Sequence, residues 1–326
     1  MRLWKKGIAL LTMTALAVGL VGCGASKGEE DSQVHIGYFN NVTHAQALYL
    51  KANGTLEKSF GDDVAVKWSA FNAGPAEVEA LFAGDIDIGY IGPVPAITAN
   101  AKSKGDVQIL SGVTKGGAIL ITGKDSNITD ISQLSGKKVS IPQIGNTQHL
   151  CLLQLLQENG LKPTTEGGDV TVSAVENADV SNTIERGDVD AALVPEPWGA
   201  TLLEQGAKML LDYDQIYLEG KYDVAVVVVR KEFREAHPDI VEKFLKAHEE
   251  ATQTINDDRE NALQVINTEL QDATGKSLSE TIIKEAFNRI EVSAEYNKES
   301  IDGFAQISKE QKFIDEVPES GLFVNE

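Results

Sequence analysis

The chain has 326 residues, 29 basic against 49 acidic side chains, a formal charge of −20 and 42% hydrophobic residues. Such acidity excludes nucleic acid as a partner and also attachment to anionic lipid through the protein surface, because both need basic patches. Two cysteines supply no disulfide framework, and a chain this long buries ample core without one.

At the amino end, Arg2, Lys5 and Lys6 precede an apolar run from Ile8 to Val21. The run suits a signal-peptide core and is shorter than the roughly 20 apolar residues of a membrane span. It ends in Leu20-Val21-Gly22-Cys23, which resembles the bacterial lipobox, where the cysteine takes a lipid and becomes the new first residue. The expectation is a lipoprotein leader at residues 1–22, a lipidated Cys23 and a flexible tether over residues 23–33. The plainer reading is an ordinary signal peptide followed by a chance cysteine. The leader carries three positive and no negative charges, so the mature chain would stand at −23. Cys151, within Leu150-Cys151-Leu152-Leu153, reads as a small buried hydrophobe.

From residue 34 the chain repeats itself. Asn53-Gly54 matches Asn159-Gly160, and Val64 and Val66 match Val170 and Val172, at an offset of 106 residues. Gly84-Asp85 matches Gly187-Asp188 at an offset of 103. Each copy reads as strand, helix, strand, helix, strand. Val34–Tyr38, Val64–Trp68 and Val189–Val194 are strands, and Leu48, Leu81, Leu152, Leu155 and Leu156 mark helices. The fold class is therefore α/β, with two lobes, each a mostly parallel sheet flanked by helices. One continuous doubly wound sheet is the alternative. Ala118–Thr122 reads as the crossing out of the first copy and Val224–Val229 as the return, making two hinge crossings. Lobe 1 is expected at 34–122 and 223–326, and lobe 2 at 123–222. The helical tail from Lys231, with Phe233, Ile240, Phe244 and Leu245 on one face, is expected to pack on lobe 1.

Four segments carry a family resemblance. They are GPAEVEALFAGDIDIGYIGPVPAI from Gly74, DISQLSGKKVSIPQIGNTQHL from Asp130, GDVDAALVPEPWGATLLEQG from Gly187, and VVVVRKEFREAHPDIVEKFLKAHEEATQTIN from Val226. In order and spacing the mature chain resembles the nitrate/sulfonate/bicarbonate class of ABC-transporter substrate-binding proteins, which includes taurine and alkanesulfonate binders. The resemblance implies a type II periplasmic-binding-protein fold, a small-molecule ligand, and a membrane permease with its ATPase as partner. It leaves the ligand open among inorganic anions, sulfonates and larger heterocycles such as thiamine precursors.

In open α/β sheets ligands sit at the carboxyl ends of strands, where helix starts offer unpaired N–H groups to anions. Gly145, Asn146, Thr147, Gln148 and His149 form the first candidate loop; its counterpart is Asn40, Asn41 and His44, in the run Asn40-Asn41-Val42-Thr43-His44. Gly74 with Pro75 and Gly92 with Pro93 open further helices, although proline is common there for local reasons. Glu196 and Trp198, in Pro195-Glu196-Pro197-Trp198, are aimed by two prolines. Glu196 would meet a ligand amine or face solvent, and Trp198 would wall off an apolar tail. Thr114 joins the set, while Lys115 beside it reads as a solvated lysine. His44 and His149 alone do not make a zinc site, and neither a metal nor a cofactor is expected. No serine elbow, Cys–His pair or P-loop points to an enzyme. The expectation is a monomeric, extracytoplasmic binding protein that performs no chemistry; a surface sensor domain is the competing reading.

Overall fold

The computed structural model describes residues 32–324. The leader, Cys23 and most of the tether lie outside the described residues, and no described helix is long and apolar enough to cross a membrane.

Among the described residues, eleven strands form two sheets. The first holds β1 (Ser32–Phe39), β2 (Val64–Phe71), β3 (Ile88–Ile91), β4 (Val107–Gly116), β10 (Asp223–Arg230) and β11 (Ile290–Val292), in the order β11-β4-β10-β3-β1-β2. The second holds β5 (Ala118–Thr122), β6 (Lys138–Ile141), β7 (Thr171–Ala174), β8 (Ala191–Pro195) and β9 (Lys208–Leu211), in the order β7-β6-β8-β5-β9. The repeat seen in the sequence is a repeat in space. β2-β1-β3 and β7-β6-β8 are matching parallel triplets, with Val34 opposite Val66 in one and Val139 opposite Val172 in the other.

Each triplet is closed by an antiparallel strand, which for the first arrives from beyond the second sheet and for the second lies just before β6 in the chain. β10 pairs with β3, and β5 pairs with β8. Ala118–Thr122 thus belongs to the second sheet and corrects its expected place at the end of lobe 1. An isolated apolar run carries no sign of which sheet it joins, because the decision rests on partners distant in sequence. β10 is buried along nearly its whole length, and its unbroken Val-rich sequence suits a strand covered on both faces.

The first helix of each copy ends at its Asn-Gly pair. At Gly54, φ is +56° and the N–H returns to the carbonyls of Leu50 and Lys51, the usual glycine stop. The tail packs mainly on the first sheet, with Phe233, Ile240 and Phe244 buried and Leu245 packed beside them. Tyr90 and His248 are buried there too, at 3.0 Å from each other. In the second half Leu150, Leu152 and Leu156 enter the core with Cys151, whose thiol burial pushes up to about 12.

Two buried carboxyls stand out. Glu77, in the helix Gly74–Ala83, packs against the backbone of β1 and β3 at Gly37 and Gly89. Neither of its oxygens has a hydrogen-bond partner, and burial holds it well above the usual carboxylate range. Asp223, at the start of β10, accepts the Asn297 N–H at 2.8 Å and is pushed up to about 7, chiefly by burial.

Candidate functional site

The carboxyl ends of the parallel strands in both sheets converge on one cleft. Its inner part is a cavity of about 20 Å³ lined by the loops after β1, β2, β3, β6, β7 and β8. From the first sheet come Phe39, Asn41, Thr43, His44, Asn72, Ala73, Gly74, Gly92 and Pro95; from the second, Pro142, Asn146, Thr147, Gln148, Asn177 and Pro195. None of these side chains is an acid, a lysine or an arginine.

Positive potential comes from the backbone instead. The helices Gly74–Ala83, Pro93–Ser103 and Thr147–Glu158 all begin at this cavity. Their first-turn N–H groups have no intrahelical acceptor, and their dipoles present a partial positive charge. The first two helices have no side-chain cap. The third is capped by Asn146, whose Oδ1 accepts the His149 N–H at 2.8 Å.

The two copies build their first loops alike. Phe39 N–H donates to Nδ1 of His44, and Gly145 N–H donates to Nδ1 of His149, both at 3.1 Å. An acceptor at Nδ1 places the neutral ring's proton on Nε2, making each imidazole a donor there. Burial lowers His44 to about 3 and His149 to about 4, so both stay neutral at ordinary pH. Stacking holds the rings, His44 on Phe39 and His149 on Phe313.

Three polar oxygens at the cleft have no partner although they are buried: Oγ1 of Thr147, Oδ1 of Asn177 and Oδ1 of Asn40. Buried polar groups are normally paired, so these are positions where a ligand would complete the bonding. Thr147 also marks a close approach of the two sheets' loops. A Cβ added to Gly92 would lie 2.5 Å from its Oγ1. Nearby, Asn72 reaches across to Glu176 at 3.1 Å.

Of the residues named from sequence, Asn41, His44, Gly74, Gly92, Asn146, Thr147 and Gln148 line the inner cavity, and Asn40 and Trp198 line its outward extension. Others stand behind. Pro75 lies against Gly145, Pro93 is buried in the first turn of its helix, and His149 supports the loop from beneath. Thr114 is fully buried and donates to the Thr43 carbonyl at 2.7 Å, so it braces the first loop rather than meeting a ligand. Lys115 pairs at the surface with Glu291 at 2.9 Å.

Glu196 needs correction. It is fully buried, accepts the Ala200 N–H at 2.9 Å and pairs with Arg289 at 3.1 Å. Burial raises its pKa while that N–H and the guanidinium oppose the rise. It neither lines the cleft nor faces solvent; with Asp212, 3.2 Å from the same guanidinium, it ties the second sheet's loops to β11.

Asn72 and Asn177 escaped the sequence reading. A signal existed: Asn72-Ala73 and Asn177-Ala178 stand 105 residues apart, between the two offsets that define the repeat.

Residues 27–268 match the model of the family described as NMT1-like. The taurine-binding periplasmic protein of Escherichia coli K12 is 32% identical over 197 residues, which cover 60% of this chain and 58% of that protein. A putative aliphatic sulfonates-binding protein of Bacillus subtilis 168 is 28% identical over 245 residues, covering 73% and 70% respectively. The chain thus spans less than two thirds of the first of these relatives. The alkanesulfonate-binding protein SsuA from Xanthomonas axonopodis pv. citri, solved with MOPS bound, superposes with a TM-score of 0.73 at 22% identity, covering 87% of this chain and 94% of that one. The periplasmic nitrate-binding protein NrtA from Synechocystis PCC 6803 gives 0.70 at 18% identity, covering 87% and 83%. These structural likenesses establish the two-lobe periplasmic-binding-protein fold.

Proposed function

The chain belongs to the NMT1-like family, and from that premise we propose that it is the extracytoplasmic solute-binding component of an ABC importer, taking an organic sulfonate or similar anion into its cleft. The observation that carries this reading is the inner cavity itself. Three helix starts and the unpartnered Thr147 hydroxyl meet there with no charged side chain among the lining residues. Such a site suits an anion, and a basic side chain would be superfluous. The names of the relatives, taurine- and sulfonate-binding, favour a sulfonate over nitrate or bicarbonate.

In this reading lobe 1 spans 34–122 and 223–326 apart from β5, and lobe 2 spans 123–222 together with β5. The lobes turn on two connections, Gly116–Gly117 between β4 and β5 and the segment between β9 and β10. Ligand enters the open cleft, its head engages the helix starts of both lobes, and Thr147 closes against Gly92. The closed form, held at the membrane by lipid on Cys23, delivers its cargo to a permease. Cys23→Ala would release the protein into the extracytoplasmic fluid or leave its leader uncut; unchanged membrane retention with normal processing would refute the anchor.

Thermal unfolding of the purified protein tests the ligand class, with sulfonates, nitrate, bicarbonate and a thiamine-precursor pyrimidine compared. A ligand at 100 times its dissociation constant adds about 2.7 kcal/mol of stability. A shift with sulfonates supports the proposal. A shift with the pyrimidine alone would replace it by a heterocycle binder, and no shift with any anion would overturn it.

A further inference from the structure

Both copies hold their first loop with a histidine, and they differ in what holds the histidine. In the first copy His44 stacks on Phe39, with ring centroids 4.3 Å apart and planes 26° from parallel, and Phe39 is also the residue whose N–H it accepts. In the second copy the donor is Gly145, at φ +89° in the left-handed region that favours glycine. The donor residue there has no ring to offer. A distant part of the chain supplies one: Phe313 stacks on His149 at 5.1 Å and 27°.

Phe313 belongs to a strap, residues 311–324, that follows the helix Lys298–Glu310. Both ends of the strap are fixed on the first sheet's side. The helix packs Ile301, Phe304 and Ala305 on the helix Pro93–Ser103. At the other end, Ile109 of β4 donates its N–H to the Leu322 carbonyl at 2.7 Å and accepts the Val324 N–H at 3.0 Å. The Asn100 amide donates to the Gly321 carbonyl at 2.9 Å. Between these anchors the strap meets the helix Thr147–Glu158 twice, through Phe313 on His149 and through Gln311, whose amide donates to Gln157 at 2.8 Å. The turn that aims Phe313 is a costly one. Lys312 takes φ +62°, where a side chain crowds the backbone, and the Phe313 N–H turns back to the Ser308 carbonyl at 2.7 Å. The strap lies beyond residue 268, where the family match ends.

We propose that the strap is a positioning element of the ligand site. Phe313 fixes the His149 ring, Nδ1 of His149 fixes the Gly145 N–H, and that bond sets how the Thr147 hydroxyl and the start of its helix face the inner cavity. Because the strap is anchored on the first sheet, it ties the second sheet's binding loop to the opposite side of the cleft. His44 finds its ring within its own loop and is independent of the strap. The inference rests on the sulfonate reading of the inner cavity and adds the residues that hold its loop from behind.

The test reads the loop without ligand and the site with one. Amide exchange of Gly145 and Phe39 is followed by NMR in the unliganded protein, and hexanesulfonate is titrated by calorimetry. Phe313→Ala should quicken Gly145 exchange and weaken hexanesulfonate binding, each by about threefold or more, the size of one aromatic contact. His149→Leu should change both by about tenfold. Phe313→Tyr keeps the ring, and His149→Asn offers Oδ1 in place of Nδ1, so each should stay closer to the parent than the harsher variant at its position. Exchange at Phe39 should not change in any of them, whereas a general loss of stability would quicken both amides alike. An unchanged Gly145 rate in Phe313→Ala, or equal quickening at Phe39, would overturn the proposal; so would faster Gly145 exchange with undiminished affinity. If the parent binds no hexanesulfonate, the sulfonate reading falls, and exchange at Gly145 still decides whether the strap holds the loop.

Discussion

Replacing Thr147 by valine separates ligand binding from folding, because the two should respond with opposite signs. The Thr147 hydroxyl is buried and bonded to nothing in the protein. An unsatisfied buried hydroxyl costs about 1–3 kcal/mol, and valine fills the same shape without that cost. The unliganded Thr147→Val protein should therefore be more stable by about 1 kcal/mol, which raises the unfolding midpoint by roughly 2 °C in a chain of this size. A sulfonate loses more. A hydrogen bond to a charged group contributes about 1.5–3 kcal/mol, so affinity should fall roughly 10- to 150-fold. Thermal unfolding without ligand and calorimetry with hexanesulfonate read the two effects from the same preparation. A lower midpoint would show that the hydroxyl serves the fold. An affinity within twofold of the parent would show that no ligand oxygen reaches it.

Four further outcomes are expected. Gly92→Ala, at an ordinary φ of −68°, should lower the unfolding midpoint of the free protein and weaken binding more than about tenfold, because the methyl would stand 2.5 Å from the Thr147 hydroxyl; an unchanged midpoint with normal affinity would mean that the two loops do not meet. Arg289→Met should destabilise by about 3–5 kcal/mol in urea unfolding, since it strands the buried Glu196, and adding Glu196→Gln should recover much of the loss; no recovery would point to packing instead. Asp223 ionises at about 7 in the fold and near 3.9 in the unfolded chain, so the native state holds its proton more tightly. Its stabilising proton linkage is full below about pH 4 and is lost as pH rises through 7, so Asp223→Asn should gain relative stability between pH 4 and 8, by at most about 4 kcal/mol; parallel stability profiles for the two proteins would refute this. Glu77→Met should raise the unfolding midpoint at pH 7, because it replaces an unpartnered buried acid by an apolar side chain of similar length; a lower midpoint would reveal a bond that only the carboxyl makes.

Much of this architecture could be read before any coordinates because it is written twice. The matched Asn-Gly stops and valine runs announce two copies of one unit, and the rule that ligands sit at strand ends then points to Asn41, Thr147 and their neighbours. What the residues do not carry is orientation. Glu196 sits in a proline-framed turn at a strand end, where local sequence does not decide between the cleft and the interior. Its direction is settled by Arg289, 93 residues further on. Thr114 is hidden for the same reason, since the carbonyl it donates to belongs to a loop 71 residues earlier. The sheet that β5 joins is likewise set by β8 and β9, which follow far along the chain. Asn72 and Asn177 were legible, through the repeat register, and were passed over because polar residues in short loops are commonplace.

The late arrival of β10 in the first sheet has a consequence for how the chain is made. The first sheet places β10 between β3 and β4, so its centre stays open until residue 230 has been synthesised, although β1 to β4 are complete by residue 116. An early nascent chain therefore has no finished domain in which to lock itself. Central pairing across more than a hundred residues also makes folding slow compared with local helix formation. By the same topology, cutting the gene between β4 and β5 would leave the first fragment without β10 and β11, while the second would hold the whole second sheet and carry those two strands unpaired.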